Sequence, residues 1–490
     1  MTAEKKQQFE DLIDAMMIEE VAGLDSELKA KLEGLPLDKK RMGILSILDQ
    51  DRGLFMKILD VLNGADISKT DYIKHLVEML RDYVKVGEVE KKTLGEVMTP
   101  ISLVNDMLDT LPKEVWSNPN LKWLDPCGGC GIFASVIVER LMVGLDIYES
   151  DEERYRHIIE NMLYVGELQP KNMFLHLVSF DPKDEFALNI YCGSFLDEGF
   201  DNHMKDVWGV DKFDVIVANP PYQSSEESNR KTQPIWHLFV EKALDILIEG
   251  GYMSMVHPSG WRNIDGIFKK TQKLLTSRQI LYLEMHDTKD GLKVFKATTP
   301  YDYYCIKNTK NNGYITKIKG QNKIIDFLNL TDMEFIPNGM FTEIFSLVAK
   351  EGEEKVEILH SFSAYETRKP YISKTQDEEF KYPCVRYIFK GGDMDFLYSN
   401  IKKGHFEVPK VIFGTGAGVG EITVDINGDF GLCQFNCGIV DNVENLNRIK
   451  ISLNSKKFKD IMKFCQFNRQ EYSYKVIKTF RKDFWKEFID

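Results

Sequence analysis

The chain has 490 residues, 43% hydrophobic and 28% charged, a globular rather than disordered composition with room for two or three ordinary domains. A formal net charge of −13 argues against a whole-chain polyanion binder. No apolar run approaches the ~18–20 residues of a membrane span, the opening MTAEKKQQFED lacks the apolar core of a signal peptide, and eight cysteines are too sparse for a disulfide scaffold, so a soluble, cytoplasmic chain with reduced thiols is expected.

Residues 1–90 read as a helical region. Phe9, Leu12, Ile13, Met16, Met17 and Val21 recur at helical spacing, as do Ile73, Leu76, Val77, Leu80 and Val84. Each set gives one apolar face. Met42 to Leu62 is a further helix-friendly stretch. The Glu27-Leu28-Lys29 triplet, with Asp11 or Asp14 upstream, has the residue types of a nuclease metal site. That chemistry usually places its carboxylates on adjacent strands, whereas these lie in helical sequence; a solvated helix face is the plainer reading.

From Leu121 the pattern changes. Short apolar runs ending in turn residues alternate with helical stretches: Leu121–Asp125, Met162–Glu167, Leu188–Cys192, Phe213–Ala218 and Gly251–Val256. This is the rhythm of a parallel α/β sheet with helices on both faces. Functional groups in such sheets sit beyond the carboxyl ends of the strands. Near residue 310 the rhythm is lost, and 311–490 read as a mixed α+β region. The expected organisation is therefore an N-terminal helical region (1–90), an α/β domain (91–310) and a C-terminal domain (311–490).

Asp125-Pro126-Cys127-Gly128-Gly129-Cys130-Gly131-Ile132-Phe133 follows the first strand and opens a helix. Its glycines let the backbone turn sharply and approach a ligand, which in strand–loop–helix context signals a nucleoside cofactor. The bland alternative is a glycine-rich turn without a ligand. Cys127 and Cys130 form a CxxC, but a zinc knuckle needs a comparable second pair, and Cys433 with Cys437 is distant and spaced CxxxC. The glycines explain the loop without a redox dithiol. Glu167 ends the second strand, where an acid commonly accepts ribose hydroxyls. It lies 36 residues after Gly131, beyond the usual ~20, because a helix over Glu152–Asn161 intervenes.

Phe213–Ala218 runs straight into Asn219-Pro220-Pro221-Tyr222. The prolines end strand pairing, so the Pro220 carbonyl and the Asn219 side-chain carbonyl can face a pocket as two fixed acceptors for an NH₂ group. Tyr222 offers a flat face for a planar base or amide. Holding both N–H bonds favours a pyramidal nitrogen whose lone pair can attack a methyl sulfonium, a reaction driven by orientation and fixed dipoles. A strand-ending Pro-Pro turn with an incidental Asn is the structural alternative.

These residues together resemble the AdoMet-dependent amino-methyltransferases of DNA. The resemblance is to the adenine-N6 branch with gamma-type motif order, as in phage and restriction-modification enzymes, where the target-recognition domain comes last. Asp125–Phe133 resembles the cofactor loop, Gly95–Pro100 the upstream loop at the methionine end of AdoMet, Glu167 the ribose acid and Asn219–Tyr222 the catalytic tetrapeptide. Pro234–Leu247, Gly250–Tyr252 and His257–Trp261 resemble the segments that follow. One departure is Gly193-Ser194-Phe195, where the family often has Gly-Asp-Phe; a Ser hydroxyl accepts without charge, and Asp197 is a candidate substitute. Lys403–Ile412 and Phe480–Trp485 look like phage and restriction-modification relatives.

The resemblance implies a Rossmann-like AdoMet methyltransferase sheet and transfer of a methyl group to N6 of a flipped-out adenine in duplex DNA. Catalytic positions would be Asn219, Pro220, Pro221, Tyr222 and Phe295. Cofactor positions would be Thr99, Pro100, Asp125, Gly129, Gly131, Phe133, Glu167, Ser194 and Phe195, with S-adenosyl-L-methionine as cofactor and no metal. The implied partners are double-stranded DNA and a cognate restriction endonuclease, with the chain itself a monomer. The alternatives are transfer to ribosomal RNA guanine or release-factor glutamine, and a DNA-binding protein with an inactive cofactor site.

Charge fits a DNA reader at the back. Lys and Arg against Asp and Glu sum to −19 over residues 1–250, +6 over 251–490 and +4 over 401–490. Lys456, Lys457, Lys459, Lys463, Arg469, Lys475, Lys478, Arg481 and Lys482 are interleaved with aromatics. They read either as phosphate contacts or as a solvated basic face. Gly414–Gly420, between strand-like runs Val408–Phe413 and Glu421–Ile426, is expected to be a hairpin tip.

Overall fold

The computed structural model describes residues 99–181, 185–224, 233–389, 391–415, 421–467 and 473–489. The helical region expected over 1–90, residues Gly95–Met98, most of the Gly414–Gly420 tip and Arg469 lie outside them. The chain divides into two compact units. The first comprises residues up to Pro258 with Lys270–Ile318 and Phe327–Asp332; the second comprises Ser259–Lys269, Lys319–Asp326 and Met333–Asp490.

The first unit is α/β. Its strands are β1 (Trp123–Asp125), β2 (Leu163–Glu167), β3 (Asn189–Cys192), β4 (Phe213–Ala218), β5 (Leu247–Pro258), β6 (Arg278–His286) and β7 (Tyr301–Lys310), with β8 (Ile315–Lys319) and β9 (Ile325–Asn329) completing one sheet in the order β3-β2-β1-β4-β5-β7-β6-β8-β9. β1 through β5 pair in parallel; β7 runs antiparallel to both β5 and β6. The strand order reverses direction at β1, which lies between β2 and β4. That switch point is where an open α/β sheet leaves a crevice for ligands. The loss of α/β rhythm near residue 310 falls inside this sheet, because β8 and β9 still extend it.

Eight helices accompany these strands among the described residues. They are α1 (Ile101–Leu108), α2 (Ile132–Gly144), α3 (Asp151–His157), α4 (Pro170–Phe180), α5 (Glu198–Asn202), α6 (Trp236–Asp245), α7 (Lys269–Thr276) and α8 (Thr288–Phe295). The β4 sequence explains its central place. Val215 and Val217 join the cluster built by Leu103, Val104 and Met107 of α1 and by Ile137 and Leu141 of α2. The alternate residues Ile216 and Ala218 are equally buried, so both faces of this strand are covered, as an apolar parallel strand requires. Each buried Val, Ile, Leu or Met side chain here contributes roughly 1.5–3 kcal/mol. In α3 the Ser150 hydroxyl accepts from the Glu153 amide at 3.1 Å, and Asp151, Glu152 and Glu153 fill the first turn, matching the positive end of the helix dipole.

The second unit holds two four-stranded sheets. One orders β10 (Glu357–Leu359), β17 (Asn436–Val440), β14 (Lys410–Gly414) and β15 (Thr423–Asp425). The other orders β11 (Ile372–Ser373), β13 (Met394–Ser399), β12 (Tyr382–Ile388) and β16 (Gly431–Leu432). β14 and β15 pair antiparallel. Helices α9 (Phe341–Leu347), α10 (Val443–Asn454) and α11 (Lys456–Lys463) enclose a core with Val411, Phe413, Phe480, Phe484 and Trp485. Residues 259–269 fold here through Arg262, which is fully buried and donates to the Ile336 and Pro337 carbonyls at 3.0 and 3.3 Å. Register partners Lys410 and Asp425 form a buried ion pair at 2.5 Å, with 0% and 1% side-chain exposure. Lys410 also donates to the His405 carbonyl (2.9 Å), and Asp425 accepts from the amides of Asp429 and Phe430. The pair is satisfied on both sides, the condition for a buried charge to be tolerated.

Candidate active site

The glycine loop is shaped by steric necessity. The Gly128 amide donates to the Gly166 carbonyl at 2.9 Å, tying the loop to β2. A Cβ on Gly128 would stand 2.7–2.8 Å from the His176 ring and Val165. Gly131 adopts φ +92 immediately before α2, a conformation that costs any L side chain. Beneath the loop His176, from α4, donates through Nε2 to the Gly129 carbonyl at 3.1 Å. Burial pushes its pKa down to about 4, so the imidazole is neutral. Nothing in the sequence singles out His176; it stands in a helix whose other residues look like packing.

Asp125 and Glu167 end adjacent parallel strands. Asp125 is fully buried; one carboxylate oxygen accepts from the Cys127 amide at 3.3 Å, and the other has no partner among the described residues. Its pKa is pushed up to about 8, chiefly by burial and further by the Glu167 charge, against the Cys127 amide. Glu167 is 6% exposed and accepts from the Gly129 amide and the Gln169 amide, each at 2.7 Å. The acid expected to meet ribose hydroxyls thus also braces the loop; a carboxylate oxygen has a second lone pair for a further donor. The Gly193 amide donates to the Glu167 carbonyl at 2.9 Å, which brings the end of β3 alongside. The Ser194 hydroxyl accepts from the Leu196 amide at 3.2 Å.

Burial, with the charges of Asp125 and Glu167, holds the Cys127 thiol well above its ordinary value. It is therefore a poor thiolate for disulfide exchange. No group of three His, Cys, Asp or Glu side chains is placed to hold a metal among the described residues.

At the end of β4 the Asn219 amide nitrogen donates to the Thr99 hydroxyl at 2.8 Å. That bond ties the end of β4 to the Thr99 segment, and with the nitrogen turned to Thr99 the side-chain carbonyl lies on the other side. The Cys127 thiol reaches the Asn219 backbone, so the glycine loop and the tetrapeptide are in contact. Pro220 is buried, and Pro100 opens α1 with its carbonyl accepting from Leu103 and Val104. The Tyr222 ring stands 6.1 Å from Phe295 at 79°. Burial raises the Tyr222 hydroxyl above its ordinary value. Beyond Tyr222, Gln223 pairs with Pro234 and the Ile235 amide donates to the Tyr222 carbonyl.

The structure therefore gathers Thr99, Asp125, Gly129, Gly131, Glu167, Asn219 and Tyr222 at the carboxyl ends of β1, β2 and β4, with Ser194 just past β3. Two of the expected cofactor residues also have apolar packing partners. Phe133 lies within the apolar core. Phe195 is 2% exposed and packs against Phe200 (4.8 Å) and Phe239 (5.4 Å).

In the second unit, several cations predicted to face phosphate are paired with the unit's own acids. Lys463 meets Asp460, Lys482 meets Glu354, Lys475 meets Asp265, and Arg481 meets Asp483 and Glu487. Such surface pairs are worth about 0–1 kcal/mol each, a small barrier to exchange for another anion.

Residues 138–295 match a family model described as the Eco57I restriction-modification methylase. A Mycoplasma pneumoniae protein named "Uncharacterized adenine-specific methylase" is 27% identical over 399 residues, covering 62% of this chain and 91% of that one. The Escherichia coli type II restriction enzyme and methyltransferase RM.Eco57I is 27% identical over 147 residues, covering 25% of this chain and 14% of its own. The methylase subunit of the Escherichia coli type I restriction enzyme EcoEI is 24% identical, with 46% and 44% covered. The chain thus spans nearly all of the Mycoplasma relative and less than half of the two restriction proteins. Two solved structures are similar at low scores. A putative class I S-adenosylmethionine-dependent methyltransferase from Listeria monocytogenes has TM-score 0.38 and 14% identity over 58% of this chain and 84% of that one. The EcoKI M protein has TM-score 0.35 and 15% identity over 66% and 82%.

Proposed function

We propose, from the premise that this chain is similar to adenine-specific methylases of restriction-modification systems, that it methylates N6 of an adenine flipped out of duplex DNA, within such a system or in phage DNA protection. The observation that carries the reading is the Asn219 amide, oriented by Thr99 and set against the glycine loop, with Tyr222 and Phe295 beside it. Flipping is required because the amino group is inaccessible in the stack, and it costs a few kcal/mol.

The residues fit S-adenosyl-L-methionine. The loop at Gly128 leaves no room for a side chain, and Asp125 presents a buried carboxylate oxygen without a partner among the described residues. The loop, Glu167 and Ser194 would hold the cofactor, which when bound supplies an activated methyl group. The remaining work belongs to this chain. The side-chain carbonyl of Asn219 and the backbone carbonyl of Pro220 accept the two N–H bonds of the target amine. This withdraws the nitrogen lone pair from the ring. Tyr222 and Phe295 hold the base plane. The second unit supplies the surface that holds the duplex and reads its edges.

The test offers labelled S-adenosyl-L-methionine with duplex DNA, ribosomal RNA and release factor in parallel. Label in DNA alone supports the reading. Label in RNA or protein but not DNA overturns it, and neither cofactor binding nor label anywhere points to an inactive site.

A further inference from the structure

We propose that His286 is a positioning residue for the target base, setting the pose of Phe295 through Tyr301 and Asp290. The proposal rests on the methyltransferase reading above.

His286 is the last residue of β6, and Tyr301, directly across from it, is the first of β7. Their rings are parallel, 4.3 Å apart at 5°. Tyr303, two residues along, lies 5.7 Å from the imidazole at 25°. The imidazole Nδ1 is 3.1 Å from an Asp290 carboxylate oxygen and Nε2 is 3.4 Å from a Glu284 oxygen. Glu284 is itself fixed, since the hydroxyls of Tyr282 and Tyr303 both donate to its other oxygen at 2.6 Å. The ring is held by the Asp290 hydrogen bond at Nδ1 and by the stacked Tyr301 face, with the Glu284 carboxylate in ion-pair range of Nε2.

Both attachments lead to Phe295. Asp290 lies in the first turn of α8, whose amides at Lys289 and Asp290 donate to the Asp287 carboxylate. Phe295 ends the same helix, which stops there because Lys296 turns to φ 56. The helix is pressed against the following segment, where a Cβ on Gly291 would stand 2.1 Å from the Thr299 carbonyl. Tyr301 meets Phe295 edge-on at 4.9 Å and 75°, and Phe295 faces Tyr222. A shift of His286 is thus delivered to Phe295 from both ends. Simple core packing would account for an aromatic neighbour, but not for an imidazole stacked on Tyr301 that is also hydrogen-bonded to the helix carrying Phe295.

The experiment measures steady-state methylation and the fluorescence rise of 2-aminopurine placed at the target adenine. His286→Ala should lower kcat by roughly 10- to 100-fold, the scale of a misplaced reacting group. The 2-aminopurine signal should fall with it, and KM for S-adenosyl-L-methionine should stay within about twofold. Because His286 acts through Phe295, the double variant with Phe295→Ala should be no slower than Phe295→Ala alone. Asp290→Asn leaves every ring in place and should show the same kcat-selective loss, which keeps the proposal testable if His286→Ala does not fold. Multiplicative losses in the double variant, or a matching rise in the cofactor KM, would overturn it. Failure of the unsubstituted protein to methylate DNA would instead strike the underlying reading, and this proposal with it.

Discussion

Asn219 and Thr99 are joined by a 2.8 Å hydrogen bond between segments 120 positions apart in the chain. The amide nitrogen donates to the Thr99 hydroxyl, so the Asn219 side chain is held by a residue just ahead of α1. Thr99→Val keeps the shape and removes the acceptor. Its kcat should fall about 10-fold, the cost of roughly 1–1.5 kcal/mol of lost orientation. Asn219→Ala should fall by at least ~10²–10³-fold, as for loss of a preorganised polar group. In both variants calorimetry should find cofactor affinity largely unchanged; equal losses in affinity would place Asn219 in binding rather than transfer.

The Gly128–His176 contact predicts a cofactor-binding defect. Gly128→Ala introduces a methyl group 2.7–2.8 Å from the His176 ring and Val165. Overpacking of this kind costs about 1–3 kcal/mol. Affinity for S-adenosyl-L-methionine should drop on that scale while the far-ultraviolet circular dichroism stays native. Unaltered affinity would mean that the loop is free to shift.

Asp125 predicts a pH dependence of stability. Its pKa is raised from 3.8 to about 8 in the folded chain. The folded state binds its proton more tightly than the unfolded state, so this contribution to stability is full below about pH 4. It declines as pH rises and is lost above about pH 8. Asp125→Asn, which carries no charge at any pH, should flatten that decline. Urea denaturation of both proteins across this range measures the difference; parallel curves would show that Asp125 ionises as freely as in the unfolded chain.

Lys410 and Asp425 predict an asymmetric cost in the second unit. Lys410→Met strands a buried carboxylate and should destabilise the chain by about 3–5 kcal/mol, whereas the double change with Asp425→Leu should recover much of this. Thermal or urea unfolding resolves the two. A single variant as stable as the parent would mean that the site takes up water.

Association with DNA should weaken steeply with salt. Lys459 and Lys478 show no ion pair among the described residues, whereas Lys463 and Lys482 are paired with Asp460 and Glu354. Neutralising Lys459 or Lys478 should reduce the slope of log K against log salt by about 1 if it meets a phosphate. The same change at Lys463 or Lys482 should reduce it less. A flat salt dependence in the parent would count against a phosphate-facing second unit.

The parts legible in the sequence are those governed by local rules. β1 to β4 were marked by apolar runs ending at turn residues, and their observed ends at Asp125, Glu167, Cys192 and Ala218 coincide with the predicted ones. The glycine loop and Asn219–Tyr222 stood out because Gly and Pro constrain the backbone directly. The extension of the sheet by β8 and β9 was hidden, since Ile325–Asn329 alternates exposed and half-buried positions and resembles an edge strand of any sheet. His176 carries no local mark, and its role exists only because the loop lies above it. The pairing of Lys475 with Asp265 spans 210 positions, beyond any reading of charge along the chain.

The central claim is tested most directly by identifying the methylated nucleoside. Duplex DNA treated with the protein and S-adenosyl-L-methionine would be digested and separated by mass spectrometry, with Asn219→Ala in parallel. N6-methyldeoxyadenosine from the parent protein and at most a trace from the variant is the predicted result. A methylated cytosine, no methylated base at all, or equal yields from the two proteins would contradict it.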